Sequence, residues 1–72
     1  MTKIEIHSEY ITVAQFLKFS GAVMSGGEAK EYILNGNVKL NGEVCEMRGK
    51  KLHGGEIISL CGEEYEVVKS CT

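Results

Sequence analysis

The sequence lacks proline and tryptophan entirely, and no apolar run approaches the roughly 18 to 20 residues that a bilayer-spanning helix needs. Its N-terminal segment carries Glu5 and Glu9 where a signal peptide would have an apolar stretch. We therefore expect a cytoplasmic protein without a membrane partner. Because proline is absent, the ends of helices and strands have to be recognised from glycine, asparagine and capping residues.

The sequence is also poor in the residues that build disulfides, metal sites and enzyme active sites. Cys45, Cys61 and Cys71 are an odd number without a C-x-x-C spacing, which argues against a disulfide framework and a four-thiolate zinc site. His7 and His53 stand at no metal-ligand spacing and in no nucleophile–base pattern. We predict no catalytic residue, no metal, no cofactor and no small-molecule substrate. A thiol or metal site formed by the three cysteines remains an alternative, and it requires the last strands to pair.

What the sequence does contain is the composition of a small globular domain. Its 72 residues are 43% apolar and include ten acidic and eight basic side chains, with a formal net charge of -2. This length favours one domain, residues 1–72, with a single small core. A negative net charge argues against indiscriminate nucleic-acid binding, so any nucleic-acid binding requires a local basic patch.

Two capping motifs predict two short helices. Thr12-Val13-Ala14-Gln15 fits a capping box that begins a helix at Val13, and Gly21 fits a left-handed stop. Ser25-Gly26-Gly27-Glu28 fits a second capping box, and Asn35-Gly36-Asn37 fits the end of that helix. Strand-like patterns occupy residues 3–7, 38–40, 44–46, 56–60 and 64–68. The order β-α-α-β-β-β-β predicts an α+β fold, two short helices packed on a small, mainly antiparallel sheet.

Some packing details also follow from the pattern. A two-residue turn at Asn41-Gly42 would pair Val38 with Cys45, whereas a three-residue loop pairs Val38 with Val44; we favour the second because it places opposite charges side by side outside.

The aromatic residues are scattered, so aromatic base stacking is not expected. We assign the following residues to packing or to gaps at element ends: Phe16, Phe19, Met24 and Met47.

The segment from Arg48 to His53 is the most informative for function. It contains Arg48, Lys50 and Lys51 and no acid. One such run taken alone is more often a solvated loop, but the glycine among the cations also suits close contact with a phosphate backbone. Lys18 and Lys30 extend the patch if the helices flank the segment. The exposed amides of the Ser25-Gly26-Gly27 helix start could hold one further phosphate. The acidic residues Glu63, Glu64 and Glu66 would then leave the molecule electrically two-sided.

The order of these motifs resembles the RNA-binding domain first described in small-subunit ribosomal protein S4, also called the αL motif. The resemblance is strongest over residues 11–60. It rests on Phe16-Leu17-Lys18 with Gly21, Ser25-Gly26-Gly27-Glu28-Ala29-Lys30, Gly36-Asn37-Val38-Lys39-Leu40-Asn41-Gly42, and Leu52 with Gly55-Glu56-Ile57-Ile58. The general family usually has a basic residue at Gly26 and commonly Arg-Leu-Asp at Thr12-Val13-Ala14. With these departures the chain resembles the small stand-alone bacterial branch called YaaA-like or YbcJ-like.

The resemblance implies a non-catalytic module that docks structured RNA, ribosomal or transfer RNA, with its two helices and the following loop. The main alternative is a protein-interaction module associated with ribosome or DNA replication and repair factors, and a ribosome-associated protein is a possible partner in either case. Carried over by position, the RNA-binding candidates are Gln15, Lys18, Ser25, Gly26, Gly27, Lys30, Asn41, Arg48, Lys50 and Lys51. For Asn41 the turn alone would also select Asn-Gly.

Overall fold

A computed structural model describes residues 1–70 of the chain. The described part folds into two helices and seven strands. In chain order these are β1 (Thr2–Ile6), β2 (Ile11–Thr12), α1 (Val13–Phe19), α2 (Gly26–Leu34), β3 (Val38–Leu40), β4 (Glu43–Val44), β5 (Lys51–Leu52), β6 (Ile57–Leu60) and β7 (Glu63–Lys69).

Five of the strands form one sheet in the order β1-β7-β6-β3-β4. Three of its four pairings are antiparallel, and β1 runs parallel to β7 with Ile4 opposite Val67. The expected α+β fold, two helices on a mainly antiparallel sheet, is confirmed. The separate antiparallel pair β2–β5 was not predicted, because two residues are too short to show a period-two pattern.

The helices cover one face of the sheet, and the core lies between them. Alternate strand residues face inward, as the pleat requires, so Val38, Ile58 and Val67 are fully buried. They meet Phe16 and Ile33 from the two helices, which are also fully buried. The Phe16 ring also makes an edge contact with Tyr65 of β7, with ring centroids 6.4 Å apart. The opposite face of the sheet is left without a covering element among residues 1–70.

Local hydrogen bonds set the ends of both helices. At α1 the complete capping box is present: the Gln15 N–H donates to Thr12 Oγ1 and the Thr12 N–H donates to Gln15 Oε1, both at 3.3 Å. At α2 the Ser25 hydroxyl accepts from the Glu28 N–H, but the Glu28 carboxylate accepts from Met24 rather than from Ser25, so the predicted second box is only half correct. The carboxylate still satisfies a free N–H, one residue earlier, and its charge suits the helix N-terminus.

The predicted register of the β3–β4 hairpin is wrong. Lys39 lies opposite Val44, and the Cys45 N–H donates to the Val38 carbonyl at 2.9 Å, as in a two-residue turn. Asn41 has φ 51° and Gly42 has φ 88°, the pair of positive values that a type I′ turn requires. The type I′ turn is favoured because its twist matches that of the strands. The exposed charge pair of the predicted register would stabilise the hairpin by less than this match does.

Three residues assigned to packing are exposed instead. The exposed fractions are 61% for Phe19, 92% for Met24 and 66% for Met47. Phe19 is the last residue of α1 and lies roughly 200° around the helix from the buried Leu17, so it points away from the core. Met24 and Met47 lie in the connections between elements, where no neighbouring layer covers them.

Candidate functional site

The basic segment Arg48-Gly49-Lys50-Lys51 is attached to the start of α1 by its main chain. The Val13 N–H donates to the Lys50 carbonyl at 2.9 Å, and the Ala14 N–H donates to the Arg48 carbonyl at 3.1 Å. Lys51 continues into β5, which pairs with β2. The segment is therefore anchored to the helix, and it is not a loop that moves freely in solvent.

This anchoring determines which groups of the segment face outward. The first N–H groups of a helix have no acceptor within the helix. In α1 two of them donate to the carbonyls of Lys50 and Arg48. The side chains of Arg48, Lys50 and Lys51 are exposed, while the next residue, Leu52, is fully buried and holds β5 against the core. Cationic side chains are thus presented outward from a main chain that is fixed.

We use the name basic surface for the side chains of Lys18, Arg48, Lys50 and Lys51. All four are exposed, and Lys18 projects from α1, whose first turn holds the segment. Within residues 1–70 the close contacts between basic and acidic side chains involve other residues: Lys69 pairs with Glu9 at 3.1 Å, and the His7 ring lies 3.6 Å from the Glu5 carboxylate. No carboxylate of the described residues neutralises the basic surface, so its charge is available to an anion.

The candidates on α2 form a second group. Lys30 is exposed on the helix, but within the described residues no hydrogen bond or ion pair joins it to the basic surface. Gly26 and Gly27 are exposed at the helix start, and a side chain at Gly26 would meet nothing within 4 Å. The Glu28 carboxylate accepts from the Met24 N–H just ahead of this start. That negative charge opposes the binding of a phosphate at the same place.

Gln15 and Asn41 are exposed, but both side chains already have structural partners. Gln15 accepts from the Thr12 N–H in the capping box. The Asn41 side-chain oxygen accepts from the Ile57 N–H at 3.0 Å, and the Asn41 N–H donates to the Ile57 carbonyl at 2.8 Å. These bonds tie the β3–β4 turn to the start of β6, so the structure explains Asn41 without a ligand.

Three of the acidic side chains, those of Glu63, Glu64 and Glu66, belong to β7. Tyr65 and Val67 of β7 face the core, so the alternate residues Glu64 and Glu66 face the side of the sheet that the helices leave open. Glu63 is exposed at the start of the same strand. The basic surface and these carboxylates therefore occupy different sides of the fold.

Two aromatic residues near the basic surface were missed as site residues. Tyr10 and Phe19 are 42% and 61% exposed and line one open groove together with Ser8, Ile11, Gln15 and Lys18. The Lys51 ammonium lies over the Tyr10 ring, 4.8 Å from its centroid. In the sequence they are nine positions apart, and of the residues that line the groove with them only Gln15 and Lys18 were predicted as site residues.

The remaining candidates for chemistry lie apart from the basic surface. Cys45 is buried, and its thiol lies 3.6 Å from the Met47 carbonyl; Cys61 is exposed in the β6–β7 turn with φ 50°. The third member of the proposed thiol cluster, Cys71, lies outside the described residues. Across residues 1–70 there is no group of three His, Cys or Glu side chains placed to hold a metal ion. In the same range no helix is long and apolar enough to cross a membrane.

Comparisons with known proteins agree with the fold of the chain. A family model described as S4 domain matches residues 4–68. The chain is 39% identical over 59 residues to the probable ribosome maturation protein RlbA of Bacillus subtilis (strain 168), covering 82% of this chain and 83% of that protein.

Two solved structures share the fold. The solution structure of YbcJ from E. coli, described as revealing an αL motif involved in RNA binding, matches with a TM-score of 0.73 and 29% identity, over 94% of this chain and 87% of YbcJ. The 30S ribosomal protein S4e from Thermoplasma acidophilum matches with a TM-score of 0.63 and 24% identity, over 82% of this chain and 31% of S4e. The similarity to S4e concerns the fold alone.

Proposed function

The chain belongs to the S4 domain family, and from this premise we propose that it is a non-catalytic module that docks structured RNA through the basic surface. The proposal takes the chain as one RNA-binding unit. A neighbour of the same fold, YbcJ, is described as carrying an RNA-binding motif, and the relative RlbA is named for ribosome maturation.

One observation carries the proposal: the main chain of the basic segment is bonded to the first amides of α1. A flexible basic loop would lose conformational freedom on binding, whereas a segment already held by the helix loses less. Because none of its cations is paired with a carboxylate of the described residues, binding a phosphate does not require an existing ion pair to be broken. The segment therefore has the properties of a preformed phosphate-binding surface.

We propose that Lys18, Arg48, Lys50 and Lys51 neutralise phosphates directly. Lys30 would contact a neighbouring stretch of the backbone from α2. The other candidates would contribute weaker contacts. The side chains of Gln15, Ser25 and Asn41 already accept hydrogen bonds within the protein. The Glu28 carboxylate lies close to Gly26 and Gly27 and opposes a phosphate there. The carboxylates of Glu64 and Glu66 project from the open sheet face, which also carries Lys3 and Lys39, and they would repel RNA phosphates that come near them.

We propose ribosomal RNA as the target, because the relative RlbA is named for ribosome maturation, and we place this role in the cytoplasm. Transfer RNA is the comparison ligand. Few cations are available, so binding should be weak unless the RNA presents several phosphates at the right spacing.

A salt titration of RNA affinity tests the proposal. If three to five phosphates are neutralised, the slope of log affinity against log salt should be about -2 to -4.5, taking roughly 0.7 to 0.9 per contact. A hairpin from ribosomal RNA and a transfer RNA should be measured side by side. A slope near zero with both would contradict RNA binding and leave the protein-interaction function as the better explanation.

A further inference from the structure

The groove beside α1 contains features that phosphate binding does not use. The groove is open to solvent and has a volume of about 470 Å³. The exposed rings of Phe19 and Tyr10 are part of its lining. The two rings carry a large apolar surface, and covering that surface with a ligand is favourable. Phe16, three residues before Phe19 on the same helix, is buried completely. The helix α1 therefore places one aromatic ring in the core and the other on the surface.

The Tyr10 ring is held in position by its neighbours. The Ser8 hydroxyl donates to the Tyr10 carbonyl at 2.7 Å, which stabilises the turn before β2. The Lys51 ammonium lies over the ring, and the His53 ring is 6.4 Å away. These contacts place the ring beside Lys51 at the groove.

Cations flank the groove. Lys18 belongs to its lining, and Lys51 lies over one of its two rings. An apolar protein segment would have to bury these charges or leave them unpaired, which is unfavourable. A nucleotide places a flat aromatic base next to an anionic phosphate, and so complements rings and cations at the same time.

We infer that the groove between Phe19 and Tyr10 binds one unpaired nucleobase of the RNA, stacked on the Phe19 ring, while Lys18 and Lys51 hold the adjoining phosphates. This inference rests on the proposed function and adds to it a preference for RNA with an unpaired, accessible base. It also revises the expectation, based on the scattered aromatic residues, that base stacking plays no part.

Two hairpin RNAs separate base stacking from phosphate binding. One has a loop of unpaired adenosines, and the other has the same stem and phosphates with abasic loop nucleotides. Fluorescence anisotropy should show the protein binding the base-bearing hairpin about 5- to 150-fold more tightly, the range expected for one stacked base. Phe19→Ala should remove this preference and leave the salt slope unchanged. Leu34→Ala is the matched control, because Leu34 is 58% exposed at the end of the other helix.

Phe19→Trp adds a direct spectroscopic readout. The chain contains no tryptophan, so this variant has a single indole, which still stacks. Its fluorescence should be quenched by the base-bearing hairpin and not by the abasic hairpin. Quenching by both hairpins, or by neither while both bind, contradicts stacking at this position.

The outcomes distinguish the inference from the proposed function. Equal affinity for the two hairpins with a steep salt slope overturns the inference alone. An equal loss of affinity for both hairpins in Phe19→Ala also overturns it, because the ring would then act without regard to the base. Failure of the wild-type protein to bind either hairpin in a salt-dependent way overturns the proposed function, and the inference with it.

Discussion

Reversal of two charges in the basic segment is the sharpest test of where RNA binds. The double variant Lys50→Glu and Lys51→Glu changes side chains that are exposed and leaves unchanged the main-chain bond from Val13 to the Lys50 carbonyl. We expect the folded structure to persist, because the hydrophobic anchor of β5, Leu52, is not altered.

The size of the effect follows from the number of contacts. Two unit charges about 4 Å apart in water interact by roughly 1 kcal/mol, so changing a lysine to a glutamate opposite a phosphate changes that interaction by about twice as much. For the two lysines together this corresponds to a loss of affinity of about a thousandfold at low salt. The neutral variant Lys50→Gln and Lys51→Gln should instead make the salt slope shallower by about 1.4 to 1.8.

Anisotropy titrations at several salt concentrations, with a melting curve for each variant, provide the assay. Lys3→Glu with Lys39→Glu is the matched control, because it changes the net charge equally. Both residues are exposed on the open sheet face, where Lys3 lies opposite Glu66 in the strand register. We expect this control to change affinity by less than about fivefold, an effect of net charge alone.

A second control adds positive charge on the acidic side. Glu63→Lys with Glu64→Lys should not weaken binding, since these residues lie away from the basic surface. If the Lys50 and Lys51 reversal leaves both the affinity and the salt slope unchanged in a protein with an intact melting transition, the basic segment is not the RNA-binding surface. Equal losses in this variant and in the Lys3 and Lys39 control would likewise refute the assignment.

The remaining predictions concern stability and are checked by denaturant unfolding. Ser25→Ala should lower the free energy of unfolding by about 0.5 to 2 kcal/mol through loss of the α2 cap, whereas Arg48→Ala should change it by less than about 0.5 kcal/mol; a larger effect at Arg48 would make its side chain structural. Asn41→Gly keeps the positive φ but removes the acceptor for a β6 amide, at a cost of about 0.5 to 1.5 kcal/mol, and an unchanged stability would show that this bond is unimportant. Gly54→Ala places a Cβ 3.1 Å from a β7 side chain and should cost about 1 to 3 kcal/mol. Gly49→Ala enters open space and should be neutral within about 0.5 kcal/mol, so equal effects at the two glycines would contradict the close approach.

The sequence by itself determined the two helices and most strands of the five-stranded sheet. Thr12 and Gln15 form a reciprocal capping box at the start of α1, and Gly21, with φ 82°, follows the end of the helix. These contacts join residues a few positions apart, so their energies depend on little beyond the local chain. The alternating pattern likewise predicted the strands β6 and β7, because the pleat has a fixed period. The family resemblance depended on the order of the same local motifs, and the S4 domain match over residues 4–68 confirms it.

Only the tertiary structure decided how the candidate site is assembled. The bond from Val13 to Lys50 joins residues that are far apart in the chain, and no local pattern encodes it. The same holds for the parallel pairing of β1 with β7 and for the exposure of Phe19, which depends on where α1 ends and on what covers it. Composition marked the basic segment as unusual, but it did not distinguish a solvated loop from an anchored surface. That distinction depends on long-range packing, because the burial of Leu52 and the free amides of α1 together bring the segment to the helix.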